Sequence, residues 1–143
     1  MRRTLGVAVV LLLAILLFPS DGEAQQSRER AQSRLGQNYP NPFNPETRIP
    51  FKILEEDLVD GKPAVVSIRI RSVMGEVVAV PLALNHPDGN GVEVSNLEYT
   101  TPGDKEAYWN GLNRSGRKVA SGVYFAELVV NGERWLRQIV VAK

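Results

Sequence analysis

The stretch LGQNYPNPFNPETRIPFK, residues 35–52, decides the fold. Its first eleven residues, 35–45, are called the proline segment below, and they carry Pro40, Pro42 and Pro45. Each proline fixes its own φ angle and pushes the preceding residue towards an extended conformation, which excludes a helix. The chain is therefore predicted to begin its domain extended, and Thr47–Ile53 is predicted as the first full strand.

Four other residues give the proline segment its predicted contacts. Tyr39 and Phe43 are large apolar side chains, and we expect both to reach into a neighbouring core. Asn41 and Asn44 each precede a proline, which favours local turns between side chain and backbone. The segment is thus predicted to be a rigid scaffold and not a catalytic site.

A first hairpin is predicted in the middle of the chain. Val66, Ile68 and Ile70 alternate with polar residues, the pattern of a half-buried strand over residues 65–73. Gly75 then supplies the positive φ of a short loop, and residues 76–80 return as the second arm. One face of this hairpin is expected to contact water.

A second hairpin is predicted at the C-terminus. Residues 121–130 form a long apolar strand, and Asn131 and Gly132 both tolerate the left-handed conformation that a type I′ turn requires. Residues 133–142 are therefore the partner strand. The two-residue loop places Leu128 opposite Trp135 and Tyr124 opposite Ile139.

The fold class follows from the number and spacing of these strands. Residues 81–106 are rich in turn formers and are expected to form a surface hairpin or loop, with a short strand within residues 92–99. About seven short strands without an amphipathic helix predict an all-β fold, an antiparallel Ig-like β-sandwich. The sequence contains no cysteine, so a hydrophobic core alone must stabilise the fold.

The N-terminus predicts export. Arg2 and Arg3 precede fourteen uncharged residues, 5–18, and small residues follow at the spacing of a signal peptidase site. The apolar run is shorter than the roughly 20 residues of a membrane-spanning helix. We predict a signal peptide at residues 1–24, a flexible polar leader at 25–35 and the β-domain at 36–143, with the protein exported through the periplasm to the cell surface or the exterior.

Composition argues against several function classes. The chain has 17 basic and 16 acidic residues and no long block of like charge, so nucleic acid is an unfavourable partner. His86 is the single histidine and lies in a turn-rich loop, where a solvated residue is expected. The acidic residues 55–60 lack the spacing of a calcium loop and are expected to form a solvated face. No catalytic residue, cofactor, metal site or small-molecule substrate is predicted.

The stretch WNGLNRSG, residues 109–116, offers amide oxygens but no carboxylate for a dication. A structural interpretation is therefore favoured. Trp109 is predicted to anchor the core, while Gly111 and Gly116 serve turns with positive φ and Gly122 lets the chain begin the next strand.

Taken in order, several blocks of the chain resemble one family. The blocks are the proline segment, with Tyr39, Pro40, Asn41, Pro42, Phe43, Asn44 and Pro45; then VSIRIRSVMGEVV; then YWNGLNRSGRKVASGVYFAEL, which contains Tyr124; and a terminal strand ending in Lys143. This combination over residues 36–143 resembles the C-terminal sorting domain, type A, of type IX secretion cargo. That family is close to the Ig-like domain of the flagellar hook-capping protein.

The resemblance implies a non-catalytic secretion and surface-attachment signal that an outer-membrane translocon recognises. The residues expected to be read lie on the terminal strand and are Trp135, Arg137, Ile139, Val141 and Lys143. Such domains normally follow a large passenger, whereas about ten residues separate this domain from the predicted cleavage site, so a piece of a longer product and a domain that is its own cargo both stay open. The alternative is a structural or adhesive Ig-like module in the periplasm or on the surface, which binds a protein or glycan. An enzyme is the third and least favoured hypothesis.

Overall fold

The computed structural model describes Gly22, Glu23, Gln25, Gln26 and residues 34–143. The chain separates into two compact units, Met1–Ala31 and Gln32–Lys143. The four described residues of the first unit have helical geometry and are exposed. The predicted signal peptide and its cleavage site, and most of the predicted leader, lie outside the described residues.

Eight strands form two antiparallel sheets in the second unit. The strands are β1 (Thr47–Ile53), β2 (Ala64–Ser72), β3 (Val77–Ala79), β4 (Leu82–Leu84), β5 (Leu97–Tyr99), β6 (Gly103–Trp109), β7 (Gly122–Val130) and β8 (Glu133–Val141). The first sheet has the order β1-β6-β4, and the second has the order β3-β2-β7-β8 with β5 also paired to β2. Two short 3-10 turns, Glu55–Asp57 and Val59–Gly61, connect β1 to β2.

The predicted all-β sandwich is confirmed, with eight strands where about seven were expected. Val66, Ile68 and Ile70 are fully buried, as their alternation predicts. The terminal hairpin also has the predicted register, with Leu128 opposite Trp135 and Tyr124 opposite Ile139. Its turn residues Asn131 and Gly132 have φ angles of 48° and 90°, as a type I′ turn requires.

The proline segment closes one side of the sandwich, because it hydrogen-bonds to an edge strand of each sheet. Gly36 N donates to Pro50 O at 2.8 Å, and Tyr39 and Arg48 exchange two backbone bonds of 2.9 Å along β1. Further along, Phe43 N donates to Val140 O of β8 at 3.0 Å. The segment therefore crosses from the first sheet to the second.

A second crossing segment, residues 91–97, closes the opposite side. Ala83 N of β4 donates to Val92 O at 2.6 Å, while Ile68 N of β2 donates to Val94 O at 2.8 Å. Val94 is fully buried between the two sheets. Much of the stretch predicted as a surface loop, residues 81–106, is thus built into the sandwich, and its short strand is β5.

Two expectations for the proline segment are wrong in detail. Phe43 is buried, but Tyr39 is 47% exposed. The Tyr39 backbone pairs with Arg48 at the edge of β1, and because side chains alternate along an extended chain, the residue before Tyr39 faces inward instead. That inward position belongs to Asn38, whose amide donates to Thr47 Oγ1 at 3.0 Å. The Asn41 side chain makes no local turn and instead accepts a bond from Val140 N at 3.0 Å.

His86 is not solvated as the sequence suggested. Its side chain is 2% exposed, and its ring meets the Tyr99 ring edge to face with centroids 4.7 Å apart. Nδ1 accepts a bond from Asp88 N at 3.1 Å, so the proton lies on Nε2, which donates to Glu98 O at 2.8 Å. Both ring nitrogens are occupied within the fold, which makes His86 a structural residue.

Asp57 is likewise no part of a solvated acidic face. Its carboxylate receives two bonds from Arg34 Nη2, at 2.8 and 2.7 Å, and one from Leu54 N at 2.7 Å. Arg34 is 6% exposed and its guanidinium lies 4.6 Å from the centre of the Trp135 ring. Leu35 is also buried, so the domain includes two residues that the predicted boundary at residue 36 leaves out.

Candidate functional site

Two separate blocks of the sequence motif, the proline segment and the stretch 108–128, meet in one aromatic cluster. The Phe43 and Trp109 rings lie 5.1 Å apart, and the Trp109 and Tyr124 rings lie 5.9 Å apart. Both pairs have the tilted geometry that favours aromatic contacts. Trp109 is 2% exposed and donates from Nε1 to Leu112 O at 2.9 Å, so the predicted core anchor is confirmed.

Gly111 lets the proline segment approach this cluster closely. Its φ is +73°, and a Cβ atom built on it would lie 2.6 Å from Pro45 O and 3.5 Å from the Phe43 ring. Only a residue without a side chain fits both the conformation and the space. Gly116 has almost the same φ, +75°, yet a Cβ atom there would meet nothing within 4 Å. The first glycine is required for packing and the second for its turn.

The terminal strand β8 turns the predicted recognition residues mostly inward. Ile139 and Val141 are buried, and Trp135 packs against the core. Arg137 donates from Nε to Leu35 O at 2.8 Å, so it contacts the proline segment. Lys143, the last residue, is exposed. Of these five residues, Lys143 is the one that the fold leaves freely accessible.

The outer edge of β8 is covered along its second half. Val140 directs its backbone groups to Phe43 and Asn41, and Gln138 O accepts a bond from the Gln37 side chain at 3.3 Å. Because backbone direction alternates along an antiparallel strand, Arg134 and Leu136 point their N–H and C=O groups to the same edge. Within residues 34–143, no hydrogen bond satisfies those four groups.

A cluster of charges lies on the outer face of the second sheet. Glu127 of β7 is 2% exposed, although its side chain points away from the core. Arg71 contacts it with bonds of 3.0 Å from Nε and Nη2, Arg69 lies at 3.4 Å and Arg134 at 3.9 Å. Burial alone would raise the pKa of the Glu127 carboxyl, but hydrogen bonds and charge from Arg71, with Arg134 and Arg69, outweigh burial and lower it.

Apolar side chains border this charged cluster. Leu136 stands directly opposite Glu127 on β8 and is 62% exposed. Val123 on the same face is 39% exposed, and Phe125 and Val129 are half-buried. Cationic and apolar groups therefore alternate beside the unpaired edge of β8. The periodicity of the sequence places Val123 and Phe125 on the same face as Glu127, but it does not tell which face of the hairpin is wetter.

A polar cavity of about 450 Å³ opens beside β6. Glu93, Tyr108, Asn110, Asn113 and Arg114 are among its lining residues. The side-chain oxygens of both asparagines accept backbone bonds within the 110–117 turn, which leaves their amide hydrogens directed elsewhere. The cavity presents both donors and acceptors.

A metal site and a membrane-spanning helix are both absent among the residues that the structure describes. No group of three or more His, Asp or Glu side chains could hold a metal ion there. In the same part of the chain, no helix is long and apolar enough to cross a membrane.

Comparison with known proteins gives little to add. No protein-family model matches the chain, and no curated protein matches it. A solved structure that is similar to it is PorZ, described as an essential bacterial surface component of the type IX secretion system of the human oral bacterium Porphyromonas gingivalis. The match has 20% identity and a TM-score of 0.43, and it covers 75% of this chain. This chain spans 11% of the length of that protein, and values this low assign no family and no function.

Proposed function

We propose that the β-sandwich is a secretion and surface-attachment signal recognised by an outer-membrane translocon. The observation that carries the proposal is the convergence of the motif blocks. Phe43 of the proline segment packs against Trp109, and Trp109 against Tyr124, both from the block at residues 108–128, so two distant blocks form one aromatic cluster at the core. The same proline segment then hydrogen-bonds to β8, so the motif holds the terminal strand in place.

In this proposal the motif is a scaffold and the terminal hairpin is what the translocon reads. The inward residues Trp135, Ile139 and Val141 fix the position of β8 against the core. The translocon contacts the accessible parts of the strand, which are its unpaired edge, the outward side chain of Leu136 and the terminal Lys143. Edge strands are natural docking templates for an additional strand.

A fusion experiment tests this function. A fluorescent protein is placed between a signal peptide and residues 34–143 in a bacterium that has the type IX translocon, and surface-exposed fluorescence is measured on intact cells. We expect a surface signal that disappears in a translocon-deficient strain. Equal periplasmic retention in both strains would contradict the sorting function.

A second candidate is an exported interaction module, and the polar cavity beside β6 favours it. Tyr108 offers a ring wall, and Glu93 and Arg114 offer an acceptor and donors that suit a glycan or a polar peptide. A module of this kind predicts the periplasmic outcome of the fusion experiment together with saccharide or peptide binding that Arg114→Ala weakens.

A further inference from the structure

The outer face of the second sheet carries more positive than negative charge near β8. Three guanidinium groups, from Arg69, Arg71 and Arg134, surround the single carboxylate of Glu127. Another acid on this face, Glu98, pairs with Val65 at the other end of β2. Arg134 is 67% exposed and lies 3.9 Å from the Glu127 carboxylate, so its charge is the one most open to a partner.

The same place has an unpaired backbone. The N–H and C=O groups of Arg134 and Leu136 face outward, and within residues 34–143 nothing bonds to them. Beyond them the proline segment already covers the edge, from Gln138 to Ala142. Such an edge accepts an extended segment from another chain through main-chain hydrogen bonds. The free length is short, which limits the partner to a few paired residues.

From these two observations we infer that this face binds an extended acidic segment of a partner protein. The segment adds to β8 at Arg134 and Leu136, one of its carboxylates meets the exposed guanidinium group of Arg134, and an apolar side chain contacts Leu136. The inference deepens the proposed function, because it gives the chemistry of the segment by which a translocon would hold the signal. Charge complementarity selects an acidic segment over a basic or neutral one.

Peptide binding in solution tests the inference separately from export. The probes are a blocked hexapeptide of alternating glutamate and valine and the same peptide with glutamine in place of glutamate. Nuclear magnetic resonance titration of ¹⁵N-labelled residues 25–143, which contain the complete second unit, measures both affinity and position. We expect the acidic peptide to bind about tenfold more tightly and to shift the amide signals of Arg134 and Leu136.

Matched variants separate charge from backbone pairing. Arg134→Gln should weaken the acidic peptide several-fold, whereas Arg117→Gln, an exposed arginine in the 113–119 loop, should leave its affinity unchanged. Leu136→Pro removes one outward N–H without removing a bond to β7, and it should weaken both peptides more than Leu136→Ala does. Thermal unfolding of each variant verifies that the domain is folded.

Three results would overturn the inference. They are equal affinity for the acidic and glutamine peptides, signal shifts confined to another surface, and no binding of the acidic peptide at about 1 mM. Because none of these measurements involves export, they can fail while the fusion experiment succeeds. Conversely, peptide binding without translocon-dependent export would place the same surface in an interaction module.

Discussion

The contact between Gly111 and the proline segment makes a quantitative prediction. Gly111→Ala introduces a methyl group at a φ of +73° and 2.6 Å from Pro45 O. The left-handed conformation costs about 1–2 kcal/mol for a residue with a Cβ atom. The overlap must then displace backbone beside the buried Phe43, and overpacking of this kind costs about 1–3 kcal/mol more. We expect the free energy of unfolding to fall by about 2–5 kcal/mol.

Gly116→Ala is the matched control, since its φ is +75° and the added methyl group meets nothing within 4 Å. Gly116→Ala should lower the free energy of unfolding only by the cost of the left-handed conformation, about 1–2 kcal/mol. Urea unfolding of residues 25–143, followed by circular dichroism, measures both values, with an unchanged dependence on urea concentration as the sign of an unchanged native fold. Equal losses for the two variants would refute the claim that Gly111 is required for packing against the proline segment.

Three further predictions concern buried polar groups. Arg34→Ala leaves the Asp57 carboxylate without its cation and should lower stability by about 3 kcal/mol in the same urea assay, whereas a loss below about 1 kcal/mol would mean that the pair is solvated. Glu127→Gln should destabilise the domain at pH 7. Because the pKa of this carboxyl is lowered in the folded state, the loss of unfolding free energy in the variant should shrink as the pH falls below the unfolded pKa of about 4.3 towards the folded value. A loss that does not depend on pH would refute a stabilising, ionised Glu127. Tyr99 Oη is buried and has no hydrogen-bond partner among the described residues, and burial raises the pKa of this group to about 12, so unfolding should become easier between pH 10 and 12. Tyr99→Phe should reduce this loss and cost little at pH 7; a large cost would indicate a hydrogen bond.

The local elements of the fold could be predicted from the sequence. The type I′ turn at Asn131 and Gly132 fixed the register of the terminal hairpin, because a two-residue loop leaves one way to pair the strands. The alternation from Val66 to Ile70 identified the buried face of β2. In the candidate site, Phe43 and Trp109 were expected in the core for their size, and both are there.

The long-range contacts could not be predicted. Asp57 looked like one member of an acidic loop, yet its partner Arg34 lies 23 residues earlier in a stretch that reads as polar leader. His86 looked solvated because its neighbours are turn formers, whereas β5 supplies the carbonyl and the ring that bury it. Asn38 takes the inward position that was expected of Tyr39, since proximity to prolines does not indicate which side of the segment faces the core.

The inward orientation of β8 also changes which residues a translocon could read. Trp135, Ile139 and Val141 attract attention in the sequence because they are large and regularly spaced, but that spacing is what places them against the core. The residues between them, above all Leu136, face outward. Substitutions at the inward positions would therefore impair export through loss of folding.

Surface fluorescence of the fusion protein with a charge on the outward side of β8 tests this account most directly. Leu136→Glu places a carboxylate beside Glu127 at the proposed docking edge, and Met74→Glu places one at an equally apolar, 86% exposed position in the β2–β3 turn. With both domains folded, the account predicts that Leu136→Glu abolishes translocon-dependent surface fluorescence and that Met74→Glu retains it. Unchanged surface fluorescence for Leu136→Glu would contradict the account.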